Sequence, residues 1–361
     1  MSVLFLPKIS CRWRPLSYNT TIITSSRNYA VQAPGKPSLE VFNRVAKHIQ
    51  KERAARNVEQ SRKVDYLKDE VAMRLCDRLL DIKRTFPTAL DLGANSCNIA
   101  RALTAPSFDH DLGPSQSLSD RIGSIKCIET SPELLYRDAD LEFNKQLSIE
   151  REVIRDLEYL PYVPNTFDIV LSSLSIHWIN DLPSLLAQVN SILKPDSPFI
   201  AAMFGGDTLF ELRSSLQLAN MERRGGVIPH ISPLADVRDV GGLLTRAGFK
   251  MLTVDVEDIV VDFPNTFALM EDLQAMGESN ATLQRGPLSK DVLLANEAIY
   301  RELHKDAGDG PAHGQGGIPA TFRIIFMIGW KEGAGQPQPL QRGSGEVNLK
   351  DLLGGGDFEQ K

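Results

Sequence analysis

Residues Thr88 to Arg101 read TALDLGANSCNIAR, and this stretch decides the fold. Leu90 and Leu92 flank the acidic Asp91. Gly93 follows, then the polar turn Ala94-Asn95-Ser96. Apolar residues resume at helical spacing with Ile99, Ala100 and Leu103. The pattern is that of a buried strand, a tight turn and the start of a helix. Such a turn aims backbone N–H groups and a helix N-terminus at whatever sits above it, which suits an anion or a carboxylate. Open α/β sheets bind ligands outside the carboxyl ends of their parallel strands, so the turn marks the expected crevice.

Working outward, strands and helices alternate. Two amphipathic helices precede the stretch: Leu39 to Asn57, rich in charge, and Val64 to Ile82, with Leu67, Val71, Leu75 and Leu79 on one face. Both are expected to pack at the edge of the core. Thr104 to Asp120 is rich in Pro, Ser and Asp and reads as an exposed insertion. Ile125 to Glu129 is the next strand, and Ser131-Pro132-Glu133 opens a helix with Ser at the cap and Pro just inside. Leu147 to Ile154 is a third strand. The apolar, β-branched run of Phe167 to Ser173 suits a central buried one. Asp181 to Leu193 is a helix halted by Lys194-Pro195-Asp196, and Pro198 to Phe204 is a fifth strand, entering a helix from Leu209. Leu234 to Ala247 reads as a helix ending at Gly248, Val254 to Val261 as a strand, Thr266 to Met276 as a helix, Gly308 to Gly317 as a glycine-rich loop, and Thr321 to Trp330 as the last strand. Strand–helix alternation of this kind makes a doubly wound sheet.

Composition narrows the function. The chain has 361 residues and a net charge of −6, which argues against a nucleic-acid partner. No segment approaches the ~20 apolar residues of a membrane-spanning helix. Cys11, Cys76, Cys97 and Cys127 form no CxxC pair and no zinc spacing with the histidines, so they read as buried, reduced thiols and no metal site is expected. Before Glu40 there is no acidic residue, while Lys8, Arg12, Arg14, Arg27 and Lys36 occur among many Ser and Thr. Residues 1–29 therefore read as a mitochondrial transit peptide, cut after Tyr29 in Arg27-Asn28-Tyr29-Ala30, with a disordered basic tail as the alternative. Cleavage removes four positive charges and takes the net charge from −6 to −10. The folded domain is expected over 38–332, and 333–361, rich in Gly, Pro and Gln, reads as a disordered tail.

The turn resembles the first motif of class I S-adenosylmethionine methyltransferases, an acidic residue followed by Gly-x-Gly-x-Gly. Asp91 and Gly93 are kept; Asn95 and Cys97 stand where the pattern has its second and third glycines. Asn best tolerates a left-handed backbone among non-glycine residues, so the turn can survive while its side chain narrows the space for a ligand. The resemblance implies a seven-stranded, Rossmann-like sheet, closed by Val254–Val261 and Thr321–Trp330 as a hairpin, with N-terminal helices and a helical insertion before the last strand. It also implies S-adenosylmethionine as cofactor. Asp91, Gly93 and Asn95 would meet its methionine end and Glu129 its ribose. Glu129 falls 38 positions after Asp91, beyond the usual ~20, and the insertion accounts for the excess. Two readings of Asp156 stand, a turn or cap residue and a partner of the adenine amino group.

From Asp156 onward, five segments resemble one family: LPYVPNTFDIVLSSLSIHWINDLP, ILKPDSPFIAAMFGGDTLFELRSSLQLA, PHISPLADVRDVGGLL, MEDLQAMGESNA and PATFRIIFMIGWK. It is the mitochondrial complex I assembly factor 5 family, methyltransferase-like arginine hydroxylases of the matrix, with bacterial malonyl carrier-protein methyltransferases as more distant relatives. The resemblance implies work at the matrix face of the inner membrane, with an iron–sulfur subunit of complex I as target and other assembly factors as partners. Two alternatives stay open: a methyltransferase of a protein or carrier-bound acid, and a non-catalytic assembly chaperone.

Ser173 and His177, at the end of the central strand, are the catalytic candidates. His177 reads either as a general base or as a packed histidine beside Trp178. An oxygen-activating iron site would use two His and a carboxylate. Only His304, with Asp306 two positions on, and His313 approach that, so the oxidant of a hydroxylation is not legible. Asp207, Glu211, Glu271, Asp272 and Glu278 are candidates to attract a substrate arginine, or solvated helix charges.

Overall fold

The computed structural model describes residues 40–105, 118–304 and 317–337. The expected transit peptide, most of the Pro/Ser/Asp insertion, the glycine-rich loop, Cys11, Asp306 and His313 lie outside the described residues.

Three helices come first: α1 (Arg44–Arg56), α2 (Val58–Lys63) and α3 (Tyr66–Leu80). Then follow β1 (Phe86–Leu92), α4 (Asn98–Thr104), β2 (Ile122–Glu129), α5 (Pro132–Tyr136), β3 (Ser148–Val153) and β4 (Ile169–Ser173). The second half comprises α6 (Leu182–Ile192), β5 (Pro198–Phe204), α7 (Phe210–Arg224), α8 (Val237–Arg246), β6 (Phe249–Phe263), α9 (Thr266–Ala275), α10 (Lys290–His304) and β7 (Ile318–Lys331). The strands form one seven-stranded sheet in the order β3-β2-β1-β4-β5-β7-β6. β1 to β5 pair in parallel, and β7 inserts antiparallel between β5 and β6. This is the doubly wound, class I methyltransferase-like sheet expected from the sequence. The strand order reverses between β1 and β4, so the ligand crevice opens outside their carboxyl ends.

Both faces of the sheet are covered, and the period of two is visible residue by residue. Ala89, Ile169, Leu171, Ile200 and Ala202 enter one core, with α3, α4 and α7. Leu90, Leu92, Val170, Phe199 and Ala201 enter the other, with α6 and α8.

Several expectations change. The helix over Val64–Ile82 does not pack at an edge. Leu67, Val71, Leu75 and Leu79 of α3 are fully buried in the core beneath β4 and β5. A four-residue apolar stripe at helical spacing needs a whole sheet face to cover it. The late hairpin is longer than expected, with β6 and β7 paired from Phe249↔Lys331 to Phe263↔Ile318. Charged residues on both of its faces hid the extent of β6: Glu257 meets Arg74 and Arg78 of α3 on one side, and Asp258 meets Arg323 on the other. The packed chain continues past residue 332 to residue 337, where the Gln336 amide donates to the Lys331 carbonyl and to Asp196.

Candidate functional site

The turn after β1 carries three left-handed residues, Gly93 (φ +71°), Asn95 (+52°) and Cys97 (+61°). Gly93 admits no side chain, because a Cβ there would stand 2.0 Å from Ser175 Oγ. The Gly93 and Ala94 amides both donate to the Ile128 carbonyl, at 3.0 and 2.9 Å. Asn95 keeps the backbone bend that a glycine would supply and adds a tie: its amide donates to the Ser173 carbonyl at 3.1 Å and to the Gly93 carbonyl at 3.3 Å. The side chain that replaces the second glycine thus fastens the β1 turn to the end of β4.

Asp91 lies beneath this turn, fully buried in β1. Burial pushes its carboxyl well above the usual range, reinforced by Cys97 and Glu129. Among the described residues, the only hydrogen-bond contact of its carboxyl is a weak one from Cys127 Sγ at 3.9 Å, and Oδ1 makes none.

Glu129 ends β2 and is also fully buried. Lys51 of α1 donates to its Oε2 at 2.9 Å, the Thr130 backbone N–H to Oε1 at 2.7 Å, and the Asn95 backbone N–H to Oε2 at 3.3 Å. Burial alone would raise this carboxyl; Lys51 and Thr130 outweigh it and hold the group below its ordinary value. Asp156, after β3, accepts from the guanidinium of Arg44, again from α1, and caps its own turn through the Glu158 amide at 3.0 Å. Both readings of Asp156 therefore have a physical basis: it caps a turn and it faces a cavity.

That cavity, of about 870 Å³, lies between α1 and the carboxyl ends of the strands and is lined by Arg44, Lys47, Asp156, Leu157, Ser175 and Trp178 among others. A second, of about 270 Å³, is lined by His177, Trp178, Phe204, Leu273, Glu278 and Phe322 among others. Trp178 borders both. Of the expected site residues, Asp156 faces the first cavity and His177 the second. Asp91, Gly93, Asn95, Glu129 and Ser173 line neither and form the floor below.

Between the cavities sits one of the five acids expected to attract a substrate arginine. Glu278, just past α9, is buried. Trp178 Nε1 donates to its Oε2 at 2.7 Å; His177 Nε2 and Lys47 Nζ each stand 3.5 Å from the same atom, and Lys68 Nζ is 3.9 Å from Oε1. Burial opposes its charge, but Lys47, His177 and Lys68 hold the carboxyl far below the usual range. The converse holds for Lys47, whose ammonium burial lowers to about 7 against the pull of Glu278. His177 is pushed down by burial, packs its ring 4.8 Å from Phe204, and leaves Nδ1 without a partner. Ser173 Oγ, Ser175 Oγ and Glu278 Oε1 are buried and make no hydrogen bond either. Among the described residues, five buried polar atoms without a hydrogen bond, Asp91 Oδ1, Ser173 Oγ, Ser175 Oγ, His177 Nδ1 and Glu278 Oε1, belong to this region, which suits it to a polar ligand.

Of the five acids proposed to meet an arginine, only Glu278 lines a cavity. Asp207 pairs with Arg323, Glu211 with the Thr321 hydroxyl, and Asp272 accepts from Tyr66 at 3.2 Å. The basic residues were missed. Arg44, Lys47 and Lys51 recur at helical spacing along α1, a stripe readable as solvated charge until tertiary structure turns it inward. Among the described residues no group of three or more His, Cys, Asp or Glu is arranged to hold a metal ion, and His304 instead contacts Ser214 at 3.4 Å. Cys76, Cys97 and Cys127 are buried and free, as expected.

Residues 113–201, β2 to β5, match the family model described as a methyltransferase domain. The chain is 46% identical over 316 residues to "Arginine-hydroxylase NDUFAF5, mitochondrial" of Homo sapiens, covering 87% of this chain and 84% of that protein. The Dictyostelium discoideum protein of the same name is 35% identical over 356 residues, covering 95% and 78%. A "Malonyl-[acyl-carrier protein] O-methyltransferase" of Halorhodospira halophila is 30% identical over 288 residues, covering 79% and 88%.

Proposed function

The chain belongs to the family of mitochondrial arginine-hydroxylases named NDUFAF5, and from that membership we propose that it hydroxylates an arginine of an iron–sulfur subunit of complex I during assembly in the mitochondrial matrix. The identity over most of both chains carries this reading. Contact with other assembly factors and with the matrix face of the inner membrane belongs to the same proposal. No helix among the described residues is long and apolar enough to cross a membrane.

The crevice suits S-adenosylmethionine. The apolar walls of the larger cavity, the acid Asp156 facing it and the unsatisfied hydroxyls beside it are what an adenosyl group and an amino-acid end require. Asp156 would take the adenine and Glu129 the ribose. Gly93 would let the backbone approach the methionine end, with Asp91 and Asn95 shaping the turn beneath. When bound, the cofactor supplies a sulfonium carrying an activated methyl group. The chain's own part is positioning and exclusion of water: α1 covers the strand ends, Trp178 borders both cavities, His177 lines the smaller one, and Ser173 lies in the floor beneath. Burial pushes His177 below its ordinary value, which favours the neutral imidazole, and its Nδ1 is free of hydrogen bonds among the described residues.

The test is the mass of the target subunit. In cells lacking this chain, the arginine peptide of the iron–sulfur subunit should lose the mass of one oxygen atom and regain it on re-expression. A gain of one methylene instead would make the chain a methyltransferase, toward which the malonyl carrier-protein relative points. Normal assembly with no mass change would make it a chaperone.

A further inference from the structure

Lys47 Nζ lies 3.2 Å from the centre of the Trp178 ring and 3.5 Å from Glu278 Oε2, and it donates to the Gly277 carbonyl at 2.8 Å. An ammonium on an indole face, against a carboxylate that the same indole orients, is the geometry by which proteins recognise cations. We infer that Trp178 and Glu278 form the receiving site for the guanidinium of the substrate arginine, and that Lys47 holds that place until the substrate arrives. This rests on the arginine-hydroxylase reading above.

Three features favour a guanidinium over the ammonium now there. Glu278 Oε1 makes no hydrogen bond. A lysine cannot satisfy both carboxylate oxygens in one plane, whereas a guanidinium fork can. The Gly277 and Ser279 carbonyls, 2.8 and 3.5 Å from Lys47 Nζ, become free acceptors when Lys47 leaves, and a guanidinium has five N–H donors to spend on them. The adjoining cavity of about 270 Å³ has apolar walls, including Phe204, Leu273 and Phe322, against which the methylene stem of an arginine packs. Burying a Lys–Glu pair is a poor source of stability, since desolvation offsets the attraction. A carboxylate kept there with one oxygen that makes no hydrogen bond fits a receptor better than a strut.

Lys47 also ties the site to the cofactor crevice. It shares α1 with Lys51 on Glu129 and Arg44 on Asp156. Withdrawal of one face of α1 would release the substrate acid and both cofactor acids together.

The test uses the full chain and two uncharged-or-charged isosteres, Nα-acetyl-arginine methylamide and its citrulline counterpart, followed by calorimetry. The wild type should prefer the arginine probe. Lys47→Met should bind it about tenfold more tightly with the citrulline probe unchanged, and Glu278→Gln should lose it. Lys47→Arg, which parks a guanidinium in the site and keeps every charge, should exclude the probe, and it serves if Lys47→Met does not fold. Equal binding of both probes, or an affinity indifferent to Lys47→Met or to Lys47→Arg, overturns the assignment. Probe binding reads no chemistry. If it follows these variants while the target subunit gains no oxygen, the hydroxylase reading fails and the cation site stands; the reverse result removes the cation site alone.

Discussion

Lys51 Nζ of α1 donates to Glu129 Oε2 at the tip of β2 at 2.9 Å, and both side chains are buried. An acid at this position in a doubly wound sheet is where a ribose is held, yet here a lysine from the N-terminal helix already holds it. Helix α1 therefore supplies the buried counter-charge of this acid.

The first prediction concerns that pair. Lys51→Met strands a buried carboxylate and should cost about 3 kcal/mol in urea unfolding, the usual penalty for breaking one half of a buried pair. The double variant Lys51→Met/Glu129→Gln should recover most of the loss, because no uncompensated charge remains. Additive losses in the double variant would show that the pair does not act as a unit.

Arg44 tests the other end of the helix. Its side chain is 43% exposed where it meets Asp156, so the pair contributes little, ~1 kcal/mol or less. Arg44→Ala should leave the melting temperature nearly unchanged. It should tighten S-adenosylmethionine binding by up to about fivefold, the factor that ~1 kcal/mol corresponds to, by leaving Asp156 free. Calorimetry reads both the affinity and its absence; weaker binding in Arg44→Ala would assign Arg44 to the cofactor instead.

Asp91 gives a pH signature. Burial raises its carboxyl pKa in the folded state, while the unfolded chain titrates near ~4. The folded protein thus binds the extra proton above that pH, and stability falls as pH rises through the elevated folded value. Asp91→Asn keeps the shape without the titration. Urea midpoints from pH 4.5 upward should decline less steeply for Asp91→Asn than for the wild type. Parallel slopes would place the pH dependence elsewhere.

Gly93 is tested by sterics. Gly93→Ala forces a Cβ to 2.0 Å from Ser175 Oγ at a φ of +71°. It should destabilise by roughly 2 kcal/mol, a strained backbone plus a displaced neighbour, and abolish cofactor binding. Ser175→Gly in the same chain should restore part of the stability, since it removes the clash and leaves the backbone strain. No recovery in the thermal midpoint would locate the damage in the turn alone.

The sequence by itself determined the sheet and the turn after β1. Period-two burial and period-3.6 stripes are local, so Leu90–Leu92, Phe167–Ser173 and Leu67–Leu79 could be assigned from spacing. The left-handed turn was legible in Gly93 and Asn95 because few residues accept that backbone. Glu129 and Asp156 follow from their place at strand ends. What Asn95 does was not legible: its amide reaches Ser173 across 78 residues of chain, and a spacing pattern carries no information about such a contact. The same holds more strongly for Arg44, Lys47, Lys51 and Lys68. On a helical wheel they are solvated charge; only the folding of α1 and α3 against the strand ends turns them onto Asp156, Glu129 and Glu278. Local sequence fixes which face a residue takes on its own element, but tertiary structure alone decides which buried acid that face will meet.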